Sequence, residues 1–343
     1  MGEVMSKSLA VKYRPQSFDE VVSQESIIKI LKRQLELGEI KNTYLFCGAS
    51  GCGKTTVARA FANAINQGVG NPIEIDGASN NGVDNVKQII KSASERSIDS
   101  KYKIYIIDEC HALSNAAWQA FLKCIEEPPT YTIFIFATTD PQKIPATIQN
   151  RVMRFNFTRI DSSKIKDRLM YICSQEGFMN YEAACDYISR ISNNQMRDAI
   201  ATLEKCADYS TNLSIENVLN AIGSYSYDVF FDLTNSVIDG NIGNTIHILN
   251  YLYNKGNDMK LFVDQFLSFS LDICKYSICG TCDVTKLPTT YEDKLKGCTN
   301  FDNPGKYYCY VVDRLLELKN MLKTDISPRD TVEVMFTKLC RGV

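Results

Sequence analysis

Gly48–Thr56 reads GASGCGKTT, a Gly-x-x-x-x-Gly-Lys-Thr loop. Such a loop works only between a buried strand and a helix. Its glycines let backbone N–H groups turn inward around phosphates, and the helix start behind it adds partial positive charge. Both flanks have the required character. Tyr44-Leu45-Phe46-Cys47 is a short apolar run suited to a buried strand, and Thr55–Asn66 places Val57, Ala60, Phe61 and Ala64 on one helical face. In this context Gly48, Ala49, Ser50, Gly51, Cys52, Gly53 and Thr56 form a phosphate cradle. Lys54 would reach the β- and γ-phosphates of ATP, and the Thr55 hydroxyl would hold Mg²⁺.

The following residues continue the pattern. Pro72–Asp76 reads as a strand, Gly77–Gly82 as a turn and Val83–Ala93 as a helix. Lys103–Ile107 is an apolar strand closed by Asp108-Glu109, a carboxylate pair at a strand tip as in a Walker B motif. Asp108 would bind Mg²⁺ through water, and Glu109 would act as general base on the attacking water. Ala112–Glu127 reads as a helix stopped by Pro128-Pro129. Tyr131–Ala137 is a further strand, ending in Thr138-Thr139, either of which is placed to sense the γ-phosphate or simply to cap the strand. Upstream, Tyr13–Phe18 is broken by Pro15, and Asp19–Leu37 has helical spacing; this segment either covers a nucleotide base or packs as a plain helix. Strands alternating with helices predict an α/β fold with a parallel sheet.

From Asp161 the chain turns wholly helical. Lys164–Glu176, Tyr181–Ile191, Met196–Tyr209 and Ile215–Ile222 make a small bundle, and five longer helices follow: Asp228–Asp239, Asn244–Lys255, Met259–Cys279, Lys306–Lys323 and Pro328–Arg341. Thr281–Pro304 reads as loop. A formal net charge of −2 excludes global attraction to nucleic acid, so DNA contact must be local. The Asn80–Val83 helix start, Lys87 and Lys91 are the candidates. Thirteen scattered cysteines indicate free thiols in a reducing compartment, hence a cytoplasmic protein. No apolar run is long enough for a membrane span. Met1–Ser6 fits the loose myristoylation pattern.

Several segments together resemble one family. LAVKYRPQSFDEVVSQ at Leu9–Gln24 resembles the opening of clamp-loader AAA+ subunits, and IEIDGAS at Ile73–Ser79 their second strand. DECHALS at Asp108–Ser114, FLKCIEEPP at Phe121–Pro129, ATTDPQKIP at Ala137–Pro145 and SPRDTVEVMFTKL at Ser327–Leu339 are similar to the DNA polymerase III gamma/tau family. The resemblance implies a RecA-like AAA+ nucleotide domain (residues 1–160), a helical lid (161–223) and a helical collar that drives oligomerisation (224–343). It implies an ATPase within a polymerase holoenzyme, not itself polymerising. Partners would be other clamp-loader subunits in a hetero- or homo-oligomeric ring, read as pentameric, together with a sliding clamp and a primed single-/double-stranded DNA junction. It assigns Arg14, Pro15 and Val22 to the adenine site, Thr139 or Thr138 to sensor 1 and Arg197 to sensor 2. Arg151 becomes the arginine acting in trans on a neighbour's ATP.

The family's Ser-Arg-Cys triplet is Asn150-Arg151-Val152 here, so the arginine stands between different neighbours. The four-cysteine zinc module of bacterial members has no room in Gln67–Asn71, and the chain reads as gamma-like, ending after the collar helix. Cys279-Gly280-Thr281-Cys282, with Cys298 and Cys309, leaves a zinc site and free thiols both open. Two other classes stand beside the clamp loader. One is a stator-like, non-hydrolysing subunit, disfavoured by intact Lys54, Asp108, Glu109 and Arg151. The other is a different AAA+ DNA-maintenance ATPase such as a Holliday-junction motor, disfavoured by the ATTDPQKIP and SPRDTVEVMF segments.

Overall fold

A computed structural model describes residues 8–97, 99–325 and 327–342. The myristoylation pattern and the tail before Ser8 lie outside these residues. The chain divides into two compact units. The first takes everything up to Ile172 together with Ser192–Ala201; the second takes Cys173–Ile191 and Thr202 onward.

The first unit is built on a five-stranded parallel sheet. Its strands are β1 (Thr43–Cys47), β2 (Ile73–Asp76), β3 (Lys103–Asp108), β4 (Thr132–Thr138) and β5 (Met153–Asn156), in the order β2-β3-β4-β1-β5. Around it run α1 (Leu9–Lys12), α2 (Glu25–Leu37), α3 (Lys54–Ile65), α4 (Val83–Ala93), α5 (Asn115–Glu126), α6 (Ala146–Gln149) and the first part of α7 (Ser162–Glu176). Every residue of β1 and β4 is buried, as expected of inner strands covered on both faces. The two-residue period sorts their side chains into two cores. Tyr44, Phe46, Ile133 and Ile135 pack on one side with Val57 and Phe61 of α3. Leu45, Cys47, Phe134 and Phe136 pack on the other with Trp118 and Phe121 of α5.

Four elements differ from the sequence reading. The helix expected over Asp19–Leu37 is a 3-10 turn, Phe18–Glu20, and then α2 from Glu25. Ser23 and Gln24 between them are left-handed, at φ 71° and 67°. Long-range bonding favours that break: Gln24 Nε2 donates to the carbonyls of Thr158 (2.7 Å) and Cys52 (3.2 Å), and Gln24 Oε1 accepts from the Thr158 N–H at 3.3 Å. Gln24 is 5% exposed, so Gln24→Ala leaves buried polar groups unpaired. A loss of about 1–3 kcal/mol is expected, measured by denaturant unfolding; no loss would mean that water replaces the amide.

The helix expected from Ala112 begins at Asn115, capped by the Ser114 hydroxyl on the Ala117 N–H, after a 3-10 turn at Cys110–Ala112. Strand β5 was not legible, because it is a four-residue edge strand in which only Phe155 is buried. The loop expected over Thr281–Pro304 contains a short helix of the second unit.

That unit holds α8 (Tyr181–Ile191), the second part of α9 (Met196–Tyr209), α10 (Ile215–Ile222), α11 (Tyr227–Ile238), α12 (Ile242–Asn254), α13 (Met259–Cys279), α14 (Glu292–Cys298), α15 (Pro304–Met321) and α16 (Pro328–Arg341). Phe230, Phe262, Phe266, Leu315 and Phe336 are at the centre of its core. Its cysteines go to separate places. Cys282 is buried, and its carbonyl accepts from Arg190 Nη1 (3.3 Å); Cys298 Sγ meets Asn235 Oδ1 (3.2 Å); Cys309 Sγ lies 3.5 Å from Cys274 Sγ; and Cys279 is exposed. Among the described residues no three His, Cys, Asp or Glu side chains group so as to hold a metal ion. Among the same residues no helix is long and apolar enough to cross a membrane.

Candidate active site

The carboxyl ends of β1 and β3 deliver the phosphate loop and the carboxylate pair to the same place. Cys47 ends β1, and the Gly48 N–H continues the ladder to the Thr138 carbonyl at 3.2 Å. Gly51 is left-handed at φ 68°, and a Cβ there would sit 2.9 Å from Gln195 Cβ, so only glycine permits this approach. The Met196 N–H donates to the Gly51 carbonyl (3.2 Å), tying the start of α9, and hence Arg197, to the loop. Lys54 is 6% exposed, with Nζ donating to the carbonyls of Gly48 (2.8 Å) and Ala49 (2.9 Å).

Thr55 Oγ1 donates to Asp108 Oδ2 at 2.7 Å, which joins the loop to the tip of β3. Asp108 Oδ1 accepts from the Glu109 N–H at 2.9 Å. Glu109 is left-handed at φ 45°, a costly conformation for a side chain of this size and one that concentrates at functional sites. Its Oε2 accepts from Thr139 Oγ1 (2.9 Å) and lies 3.1 Å from His111 Nδ1. Thr138 is buried and turns its hydroxyl to His111 Nδ1 (3.2 Å) and the Asp140 N–H (3.0 Å). Of the two threonines, Thr139 is the one that touches the carboxylate pair. Behind this corner a Cβ on Gly77 would lie 2.9 Å from the carbonyls of both Asp108 and Glu109, so glycine is required where the chain leaves β2.

A cleft of about 270 Å³ collects most of the residues singled out from the sequence. Arg14, Pro15, Val22, Ser50, Gly51, Gly53, Lys54, Thr55, Thr56, Asp108, Glu109 and Arg197 all line it. Gly48, Ala49, Cys52 and Thr139 are not part of that lining; Cys52 is a buried residue of the loop. Arg151 is elsewhere, its Nε 2.8 Å from Glu126 Oε1 and its Nη1 donating to the Thr147 carbonyl at 2.7 Å.

Sequence reasoning missed Tyr13, Arg59, Glu74 and Arg168, which also line the cleft, and His111 beside it. Arg59 was legible in principle: it follows Thr55 by four residues on α3 and so shares its face. The Arg168 Nη2 bond to the Tyr13 carbonyl (2.7 Å) joins residues 155 apart, and nothing local announces it. Charges lining the cleft are five cations (Arg14, Lys54, Arg59, Arg168, Arg197) against three carboxylates (Glu74, Asp108, Glu109), a local excess opposite in sign to the chain's net −2. Burial, then the nearness of Arg59, draws the Arg14 guanidinium below its ordinary range, with Glu74 pulling the other way.

The oxygen pair Thr55–Asp108, beside a loop built for phosphates, suits a hard cation such as Mg²⁺. A family model described as DNA polymerase III, delta subunit, matches residues 71–161. The DNA polymerase III subunit tau of Bacillus subtilis (strain 168) is 33% identical over 355 residues, covering 96% of this chain and 62% of that protein. This chain belongs to the DNA polymerase III gamma/tau family.

Its gamma/tau relatives include the Mycoplasma genitalium protein, 29% identical over 332 residues and covering 90% of this chain and 55% of that one. The Escherichia coli (strain K12) subunit tau is 30% identical over 281 residues, covering 76% of this chain and 44% of that protein. The chain thus spans about half the length of the curated relatives it matches. Among solved structures, the RuvB Holliday junction branch migration motor of Thermotoga maritima is similar, with TM-score 0.53 and 22% identity over 66% of this chain and 80% of that one. That likeness is one of fold alone.

Proposed function

We propose that the chain is a clamp-loader ATPase subunit, binding and hydrolysing ATP with Mg²⁺ to load a sliding clamp on primed DNA. The observation that carries this reading is the convergence of Lys54, Thr55, Asp108, Glu109 and Arg197 on one cleft, in a chain whose relatives are named gamma/tau subunits. The domains we assign are the nucleotide domain at 1–160, the lid at 161–223 and the collar at 224–343. Partner subunits complete the ring, and Arg151 acts on a neighbour's nucleotide.

Each residue has a part in this mechanism. Lys54 exchanges its two loop carbonyls for phosphate oxygens. Mg²⁺, when bound, supplies charge neutralisation on the phosphates, held at Thr55 and Asp108. Glu109 orients the attacking water and accepts its proton, with Thr139 and His111 fixing the carboxylate. Arg197 carries positive charge from the start of α9 to the phosphates. DNA meets the start of α4, where Gly82 leaves the first N–H groups without a side-chain cap and Lys87 and Lys91 are exposed.

The test is steady-state phosphate release by the chain assembled with candidate partner subunits and clamp. Primed DNA should raise turnover several-fold over single-stranded DNA, independent of sequence and falling with salt, as backbone contacts require. Turnover indifferent to primed DNA and clamp would favour another AAA+ role. No turnover despite ATP binding would favour the stator-like reading.

A further inference from the structure

Arg59 and Glu74 form an ion pair in the wall of the cleft, Arg59 Nη2 on Glu74 Oε2, with each side chain 34% exposed. Neither belongs to the loop motif or the carboxylate pair. Thr55 and Arg59 are four residues apart on α3, so Arg59 lies one turn beyond the hydroxyl assigned to the metal, on the same face. Glu74 comes from β2, an edge strand. The pair leaves Arg59 under-used. Its Nε is buried and has no hydrogen-bond partner among the described residues, so Glu74 does not satisfy the whole guanidinium of a cation that lines the site. The opposing effects of Arg59 and Glu74 on Arg14 place all three charges within electrostatic reach of one another.

We propose that Arg59 is a phosphate-binding residue held in reserve by Glu74, so that this ion pair sets the affinity of the cleft for a nucleoside triphosphate. In the state described here Glu74 occupies the cation that a polyanion would use, and adds a negative charge to the wall that a polyanion must approach. A triphosphate therefore competes with Glu74 for Arg59. Apparent affinity is reduced by the fraction of molecules in which Arg59 is engaged. The inference rests on the ATP-binding reading given above.

The two partners predict opposite signs. Glu74→Gln releases Arg59 and should tighten binding of a fluorescent N-methylanthraniloyl ATP by roughly three- to tenfold in equilibrium titration of the full chain with Mg²⁺. Arg59→Ala should weaken it by about tenfold or more, the size of one charge-assisted hydrogen bond. The corresponding ADP analogue should respond less to both. The double variant should bind much as Arg59→Ala does, because the benefit of freeing Arg59 has gone. A thermal unfolding midpoint is taken for each protein, and Arg59→Gln, which removes the charge but keeps a polar side chain and should also weaken binding, stands in if Arg59→Ala fails to fold.

A purely structural ion pair would lower the midpoint in both variants and leave affinity unmoved, or weaken it in both; either result overturns the proposal. If the wild-type chain binds neither analogue, the nucleotide reading falls and takes this inference with it. Wild-type binding with Glu74→Gln unchanged defeats the inference alone.

Discussion

Arg151→Ala should cut ATP turnover of the assembled protein by about 10³-fold or more while leaving nucleotide affinity nearly unchanged, the expected behaviour of an arginine that acts across a subunit boundary. A 10³-fold loss corresponds to about 4 kcal/mol of barrier. The residue lies outside its own chain's cleft and is held by Glu126 and the Thr147 carbonyl. That pair is 41% and 44% exposed, and surface pairs of this kind contribute roughly 0–1 kcal/mol, so Arg151 is cheaply released and its removal should barely change stability. The decisive measurement is a mixture. Lys54→Ala subunits have an impaired cleft but a good Arg151; Arg151→Ala subunits have the converse. Mixing two nearly inactive preparations should restore turnover wherever an intact arginine faces an intact loop. No recovery, together with a lowered unfolding midpoint in Arg151→Ala, would make the arginine a structural residue of its own chain.

Glu109→Gln should slow turnover by about 10²–10⁴-fold with ATP affinity kept. The amide is isosteric and can still accept the Thr139 hydroxyl that now reaches Oε2 at 2.9 Å, so the corner of the cleft should hold its shape. What is lost is the ability to take a proton from water. A single-turnover experiment separates the steps: the variant should bind a fluorescent ATP analogue normally and release phosphate slowly. Loss of binding and turnover together would mean that Glu109 chiefly maintains the strained left-handed backbone at the tip of β3.

The parts of the site that were legible in the sequence are those whose chemistry is local. A glycine loop followed by Lys54 and Thr55 carries its function in nine consecutive residues, and Asp108-Glu109 is marked by the apolar run that ends there. Most helices of the second unit were legible within two residues because their apolar residues recur at helical spacing; α14, seven residues long with two buried side chains, was not. What escaped depends on distant partners. Nothing near Gln24 predicts that it will abandon a helix to bind Thr158, 134 residues later. Gly77 looks like any turn glycine until the backbone of Asp108 and Glu109 is laid beside it. The face Arg59 shares with Thr55 was legible, but its ion pair was not, because Glu74 comes from a strand elsewhere in the chain. Sheet order belongs to the same class: β4 lies between β1 and β3, and only the assembled sheet shows that Thr139 emerges between the two halves of the site.

That sheet order has a consequence for where the molecule can yield. Local opening is easiest where few buried contacts are lost. Strand β4 is paired on both sides and buried along its whole length, whereas β2 and β5 are rims paired on one side only. Amide protons of β4 belong to the slowest-exchanging class in such a sheet, and those of the rims to a faster one. Thr139 thus follows a strand buried along its whole length and Glu109 follows the inner strand β3, while Glu74 is carried on a rim. The end of β2 also closes on that corner, the Gly77 N–H donating to the Asp108 carbonyl at 2.7 Å, so a shift of this rim would be felt at the hold on Arg59 and at the carboxylate pair together.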